Sequence, residues 1–295
     1  MISPKRKWLN KGAHCLFLFS ATFAIMITFG IIVFVFVQGI RPFMPHNPYG
    51  SYHLLHFLTG GVWRPSFGVY GIGYMMISTL VATFWAVVIA IPIALGTAIY
   101  TCCYAPNQIG KILQFVIECL AGIPSVFYGI FGFITLLPII RYFSPYPYGE
   151  SLLAVILLLG IMSLPTMCLI MIHAITHVDP IFEEGSYALG TSKGQTIVNV
   201  MIPGAKFGLM TAIMMGITRA IGETMAVSLV AGNRERGFLQ NPFQTVRLLT
   251  TNIVLEQSYA AELHAELLWS TAAVLLIFIM LINLGLHVIK RRNQS

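Results

Sequence analysis

Long runs without a charged residue set the pattern of this chain. Between Lys11 and Arg41 lie 29 uncharged positions, between Arg64 and Lys111 46, between Glu118 and Arg141 22, between Glu150 and Asp179 28, and between Glu266 and Lys290 23. Each run exceeds the roughly 20 residues that cross a ~30 Å hydrocarbon core as a helix. A sixth run, 207–233, is apolar apart from Arg219 and Glu223. The pattern predicts six membrane helices, over about 14–38, 72–100, 115–140, 151–173, 207–231 and 267–289. The longest gap is read as one helix, because Pro65, Gly68, Gly71 and Gly73 mark its first part as loop. Pro92 lacks a backbone donor and predicts a bend there.

Composition agrees with this pattern. The 295 residues are 57% hydrophobic and only 9% charged, against about 25% charged in an ordinary soluble domain. A soluble globule and a disordered chain are both excluded. Lys5, Arg6, Lys7 and Lys11 precede the first helix, and Lys290, Arg291 and Arg292 follow the last. Basic clusters at both ends of an even number of spans put both termini in the cytoplasm. The net charge of +7 is then an orientation signal, and no nucleic-acid partner is needed to explain it. The first helix is too long for a cleaved signal and reads as an uncleaved anchor.

Little in the chain reads as catalytic or metal-binding. GxxxxGK[ST] and HExxH are absent from the sequence, and no GxSxG nucleophile elbow is expected. Five cysteines without a CxxC make neither a disulfide scaffold nor a zinc ribbon, and no cofactor is called for. His46, His53 and His56 share the outer loop 39–70, but their spacing does not fix a metal geometry, and no metal is expected. Glu256, Glu262 and Glu266 read as a solvated helix face. Asn293-Gln294-Ser295 matches a glycosylation sequon but falls in the cytoplasmic tail.

Two segments ask for a function. The first is the inner loop 176–206. Asp179-Pro180 is a helix start, with Glu183 and Glu184 near the positive end of the dipole, and Gly190 is a C-cap candidate. Thr191 or Ser192 caps a second helix, expected to stop at Pro203-Gly204. A helical elbow therefore protrudes inward, with Tyr187, Ala188 and Leu189 at its tip. Those residues suit packing, lipid contact or docking on another subunit.

The elbow resembles the motif of type I ABC importer permeases: EAA, three residues, Gly, nine residues, then I-x-L-P. Glu184-Gly185-Ser186 stands for EAA, Gly190 follows at the family spacing, and Val200-Met201-Ile202-Pro203 falls on I-x-L-P. The spacing fits, whereas both alanines and two aliphatic identities differ. The resemblance implies an all-α integral-membrane fold of six transmembrane helices, the MetI-like permease fold. It also implies that the elbow couples to a cytoplasmic ATPase through Glu183, Glu184, Tyr187, Ala188, Leu189, Gly190 and Pro203. Residues 71–295 would form the permease domain with its coupling loop 176–206, and residues 1–70 an added helix and periplasmic loop.

The second segment is Arg219-Ala220-Ile221-Gly222-Glu223-Thr224-Met225-Ala226-Val227. In one unbroken helix Arg219 and Glu223 stand at i and i+4 on one face. Charges at the bilayer centre are costly, so they pair, face water or both. The pair reads either as a buried packing solution or as part of a pathway, with Arg219 facing an oxyanion and Glu223 holding it. This segment, and Ala121-Gly122-Ile123-Pro124-Ser125-Val126-Phe127-Tyr128-Gly129, resemble the PstC-type permeases of phosphate importers. That resemblance implies a substrate pathway through Arg219, Glu223 and Thr224 and inorganic phosphate as cargo. It implies as partners a PstA-type permease, PstB-type ATPases and a periplasmic PstS-type phosphate-binding protein, assembled in the bacterial inner membrane. The chain itself would be a non-catalytic subunit. Permeases for molybdate, sulfate or phosphonate, an integral-membrane lipid enzyme and a gated pore remain the alternatives.

Overall fold

The computed structural model describes residues 4–292, with the side chains of residues 13–285, 287 and 288. The sequon and the side chains of the terminal basic clusters lie outside the described residues. Among those described, six helices are long and apolar enough to span a membrane: Ala13–Phe43, Gly73–Tyr104, Ser125–Phe143, Leu152–Thr176, Lys193–Gly222 and Glu262–Gly285.

In chain order, α1 (Pro4–Ile40) leads to a short helix, α2 (Leu54–Thr59), and a two-stranded hairpin, β1 (Trp63–Arg64) with β2 (Val69–Tyr70). The second span is α3 (Gly73–Ile99), which passes unbroken through Pro92 into a π turn at Tyr100–Tyr104. Then α4 (Asn107–Ala121) stands apart from the third span, which is made of α5 (Ser125–Phe131), a π turn at Gly132–Leu136 and α6 (Leu137–Phe143). The fourth span is α7 (Leu152–Thr176), and the elbow helix is α8 (Pro180–Ala188). The fifth span is α9 (Lys193–Thr196), a π turn at Ile197–Met201 and α10 (Ile202–Gly222). Short helices α11 (Met225–Ser228) and α12 (Leu249–Glu256) precede the last span, α13 (Glu262–Arg292).

Two spans differ from expectation. The third does not start at 115, because Gly122-Ile123-Pro124 divides α4 from α5 and Pro124 is extended, at ψ 140°. A charge count cannot see that break. The fifth span starts well before 207. Ser192 and Gln195 form a reciprocal capping box that opens α9, and the helix runs on through Pro203. The expected stop at Pro203-Gly204 is thus overturned. A π turn directly precedes Pro203, where wider hydrogen-bond spacing absorbs the missing donor.

Small residues set the packing of the bundle. Ala82, Ala86, Ala90, Ala94 and Ala98 recur every fourth residue on α3, and all are fully buried. On α10 the same spacing brings Gly204, Gly208, Ala212, Gly216 and Ala220 to one face. A Cβ on Gly208 would lie 2.3 Å from Ala174 Cβ, and one on Gly216 2.5 Å from Met167 Sδ. Large residues of α7, including Met167, Met171 and Ile175, fill the space between these two small faces. Such small-xxx-small stripes let membrane helices approach closely where no hydrophobic effect drives association. α1 joins α13 at Gly39, whose carbonyl accepts the Ser270 hydroxyl at 2.7 Å.

Candidate functional site

The fifth span ends inside the bundle. Gly222 is the last residue of α10, and Glu223 is extended, with φ −72° and ψ 133°. The continuous helix to residue 231 expected from the sequence is therefore not formed, nor is the i, i+4 ion pair of Arg219 with Glu223. The two side chains have separate partners. Arg219 Nη1 donates to the Thr166 hydroxyl on α7. Thr166 lies 14 residues after Leu152 and 10 before Thr176, about 21 Å and 15 Å along α7 at ~1.5 Å per residue, which puts the guanidinium near mid-span. Arg219 also lies within electrostatic reach of Tyr128. One residue before it, the Thr218 hydroxyl donates to Asn283 Oδ1 on α13 at 3.2 Å.

Glu223 instead secures the break. Its Oε1 accepts from the Ala226 backbone N–H at 3.2 Å, and its carbonyl accepts from the Thr250 hydroxyl at 2.9 Å. The Thr224 hydroxyl donates to the Gly222 carbonyl at 3.1 Å. These bonds serve backbone groups that a helix end leaves without intrahelical partners. Arg219, Glu223 and Thr224 are all half-buried. Broken helices at membrane depth are tolerated where protein or a water-filled cavity meets the freed groups.

The two motif segments come together here. A Cβ on Gly129 would lie 2.7 Å from Ala226 Cα, and one on Gly132 3.0 Å from Val230. The Tyr128 hydroxyl donates to the Leu120 carbonyl at 2.8 Å and ties α5 to the end of α4.

At the opposite end of the spans the elbow has the expected caps. Asp179 Oδ1 accepts from the Ile181 N–H at 3.0 Å, with Pro180 in the first helical position. Gly190 has φ +80°. Its N–H donates to the Tyr187 carbonyl and that of Thr191 to the Ser186 carbonyl, a Schellman closure. Glu184, Tyr187, Ala188 and Leu189 are exposed, as are Ile181 and Phe182, while Glu183 is half-buried and accepts the Tyr187 hydroxyl. Pro203 lies in the first turn of α10, away from the tip.

A third constellation escaped the sequence reading. Arg247 Nη1 donates to Glu256 Oε1 at 3.0 Å and to Asn252 Oδ1 at 3.1 Å. His264 Nε2 stands 3.4 Å from the other Glu256 oxygen, and its ring packs on Trp63 and Tyr70 of the hairpin. His264 foremost, with Arg247, holds the Glu256 carboxyl below the usual carboxylate range against the opposing effect of burial. Glu256 is thus no solvated face residue, and Glu266 accepts a hydrogen bond from Asn47. The cluster fastens the hairpin, α12 and α13 into one cap. Among the described residues no group of three His, Cys, Asp or Glu side chains is placed to hold a metal.

Six spans, one broken at mid-depth, around a protruding elbow define a multi-pass membrane permease subunit of an ABC transporter. The chain belongs to the family described as "Binding-protein-dependent transport system inner membrane component", whose model matches residues 90–294. It is 37% identical over 268 residues to the probable ABC transporter permease protein YqgH of Bacillus subtilis (strain 168), covering 90% of this chain and 85% of that one. It is 30% identical over 254 residues to the phosphate transport system permease protein PstC of Haemophilus influenzae, covering 79% of each. The solved methionine ABC transporter MetNI, in an inward-facing conformation, has a chain of the same fold, with a TM-score of 0.59 at 17% identity over 75% of this chain and 97% of that one.

Proposed function

We propose that this chain forms half of the membrane pathway of an ATP-driven phosphate importer. The observation that carries the reading is Arg219: a guanidinium near mid-span, held by a neutral hydroxyl, with Glu223 turned to the backbone instead of neutralising it. A cation left with a neutral partner at the break of a span suits transient contact with an oxyanion, and guanidinium matches phosphate geometry well. The PstC relative supports phosphate as the cargo. Arg219, Glu223 and Thr224 then line the path, and the helix break supplies the flexible point.

The elbow is the docking point for a cytoplasmic ATPase through Glu183, Glu184, Tyr187, Ala188, Leu189 and Gly190, with Pro203 setting the entry into α10. The exposed apolar side chains Ile181, Phe182 and Leu189 support this, because an amphipathic helix seats such residues in a partner's groove. In this reading the elbow face and both termini are cytoplasmic, in a bacterial inner membrane. Residues 71–295 are the permease domain, and residues 1–70 an added anchor and periplasmic loop. A second, PstA-type permease completes the pathway, two PstB-type ATPases drive it, and an external PstS-type protein delivers phosphate. The test is uptake of labelled phosphate by vesicles holding the assembled complex, with molybdate, sulfate and phosphonate as competitors. ATP-dependent uptake that unlabelled phosphate alone suppresses supports the proposal. Uptake of a different anion in its place refutes it.

A further inference from the structure

Besides its chain link to the fourth span, the elbow has joints to two others. Its first joint is a triangle of hydroxyls: Ser186 to Thr191 at 2.6 Å, Ser186 to Thr196 at 3.0 Å and Thr191 to Thr196 at 2.9 Å. Ser186 and Thr196 are buried, so α8 and the start of the fifth span are fastened as one body. A buried, fully bonded network of this kind holds its members in one arrangement.

Its second joint reaches across to the second span. Lys193, the first residue of α9, holds its ammonium 5.0 Å from the centre of the Tyr104 ring. Tyr104 is the last residue of the π turn Tyr100–Tyr104. One residue earlier, Cys103 Sγ meets Met201 Sδ at 3.9 Å, and Met201 closes the π turn of the fifth span. Two π turns on different spans therefore face each other directly beneath the elbow. A π turn is a local loosening of the helix ladder and a recurrent place for one helix to bend.

We propose that Lys193 and Tyr104 are positioning residues that carry displacement of the elbow into the second span, so that spans two and five swing together about their facing π turns. The proposal rests on the importer reading above. Without this contact, a push on α8 passes to the fifth span through the hydroxyl triangle, and the second span follows only through apolar packing such as Cys103 against Met201, which fixes its direction less firmly. The ATPase still docks and turns over, but the two spans lose step and ATP is spent without transport.

The test uses the complete complex in vesicles and measures anion uptake and ATP hydrolysis on the same sample. Lys193→Ala and Tyr104→Leu each lower the anion imported per ATP by about threefold, the scale of a lost cation–π contact, while ATP turnover is preserved. The double variant falls no further than the singles, and Lys193→Arg and Tyr104→Phe, which keep a cation over a ring, restore the ratio. An unchanged ratio in both single variants overturns the proposal. So does a parallel fall of uptake and ATP turnover, or a double variant whose losses multiply. If the wild type imports molybdate, sulfate or phosphonate in place of phosphate, the substrate reading falls, and the ratio is read with that anion by the same criteria.

Discussion

Gly129 and Ala226 meet at backbone distance: a Cβ on Gly129 would lie 2.7 Å from Ala226 Cα and 2.9 Å from Leu229 Cδ1. The third span is thereby pressed against the short helix that follows the break in the fifth. Because the closest atom is backbone, it cannot rotate away. Gly129→Val should destabilise the protein by about 1–3 kcal/mol, the usual cost of overpacking. Thermal unfolding of the detergent-purified protein checks this, with Gly222→Val, where a Cβ meets nothing within 4 Å, as the better-tolerated control.

The separation of Arg219 from Glu223 gives the two residues different mutational signatures. Arg219→Ala should reduce uptake about tenfold or more, equivalent to ~1.4 kcal/mol or more of lost stabilisation. Glu223→Gln keeps an oxygen that can accept the Ala226 N–H, so it should retain most of the uptake. Labelled-anion uptake with membrane insertion verified compares them. Equal, near-complete loss in both variants would mean that the Glu223 charge matters beyond the bond it makes here.

The cap cluster should be acid-sensitive. The Glu256 carboxyl is held below its usual value, so its stabilising contribution is complete above the unfolded-chain value of about 4.3 and is lost as pH falls through the lower folded-state value. Above that window, Glu256→Gln leaves Arg247 without its buried counter-charge and should cost about 3 kcal/mol. Melting temperatures at pH 7 and at pH 3 to 4 test both points. The wild type should lose stability over that interval, and the difference between wild type and Glu256→Gln should narrow.

Much of the architecture was legible from charge gaps, because a membrane helix must exclude ions over a fixed length. The break at Gly122-Ile123-Pro124 carries no charge and was invisible to that method. The start of the fifth span was hidden by its polar residues, Lys193 to Asn199, and its end by the apolar residues Met225 to Val230 that follow the break. The fourfold spacing of alanines on α3 and of glycines on α10 was present in the sequence as a packing signal, and the charge reading passed over it. The Arg247 cluster had no local signature, since its members come from residues 63, 70, 247, 252, 256 and 264 and meet only in the fold. The elbow was the most legible site, because its caps are local and depend on neighbours within a few residues.

Gly190 offers a way to tell backbone strain from steric fit at that elbow. Its φ is +80°, and an added Cβ would meet no atom within 4 Å, so the position demands a left-handed residue without being crowded. Asn adopts that region far more readily than Ala, and a β-branched residue is the least suited. The predicted order of damage is therefore Gly190→Asn, then Gly190→Ala, then Gly190→Val, although Asn and Val are close in size. Strain at such a position costs of order 1–3 kcal/mol and should loosen the α8 cap and lower capture of the partner ATPase in a pull-down. If Asn and Val instead impair capture equally while Ala is harmless, side-chain size in the docked interface decides the outcome, and the left-handed turn is not what the ATPase reads.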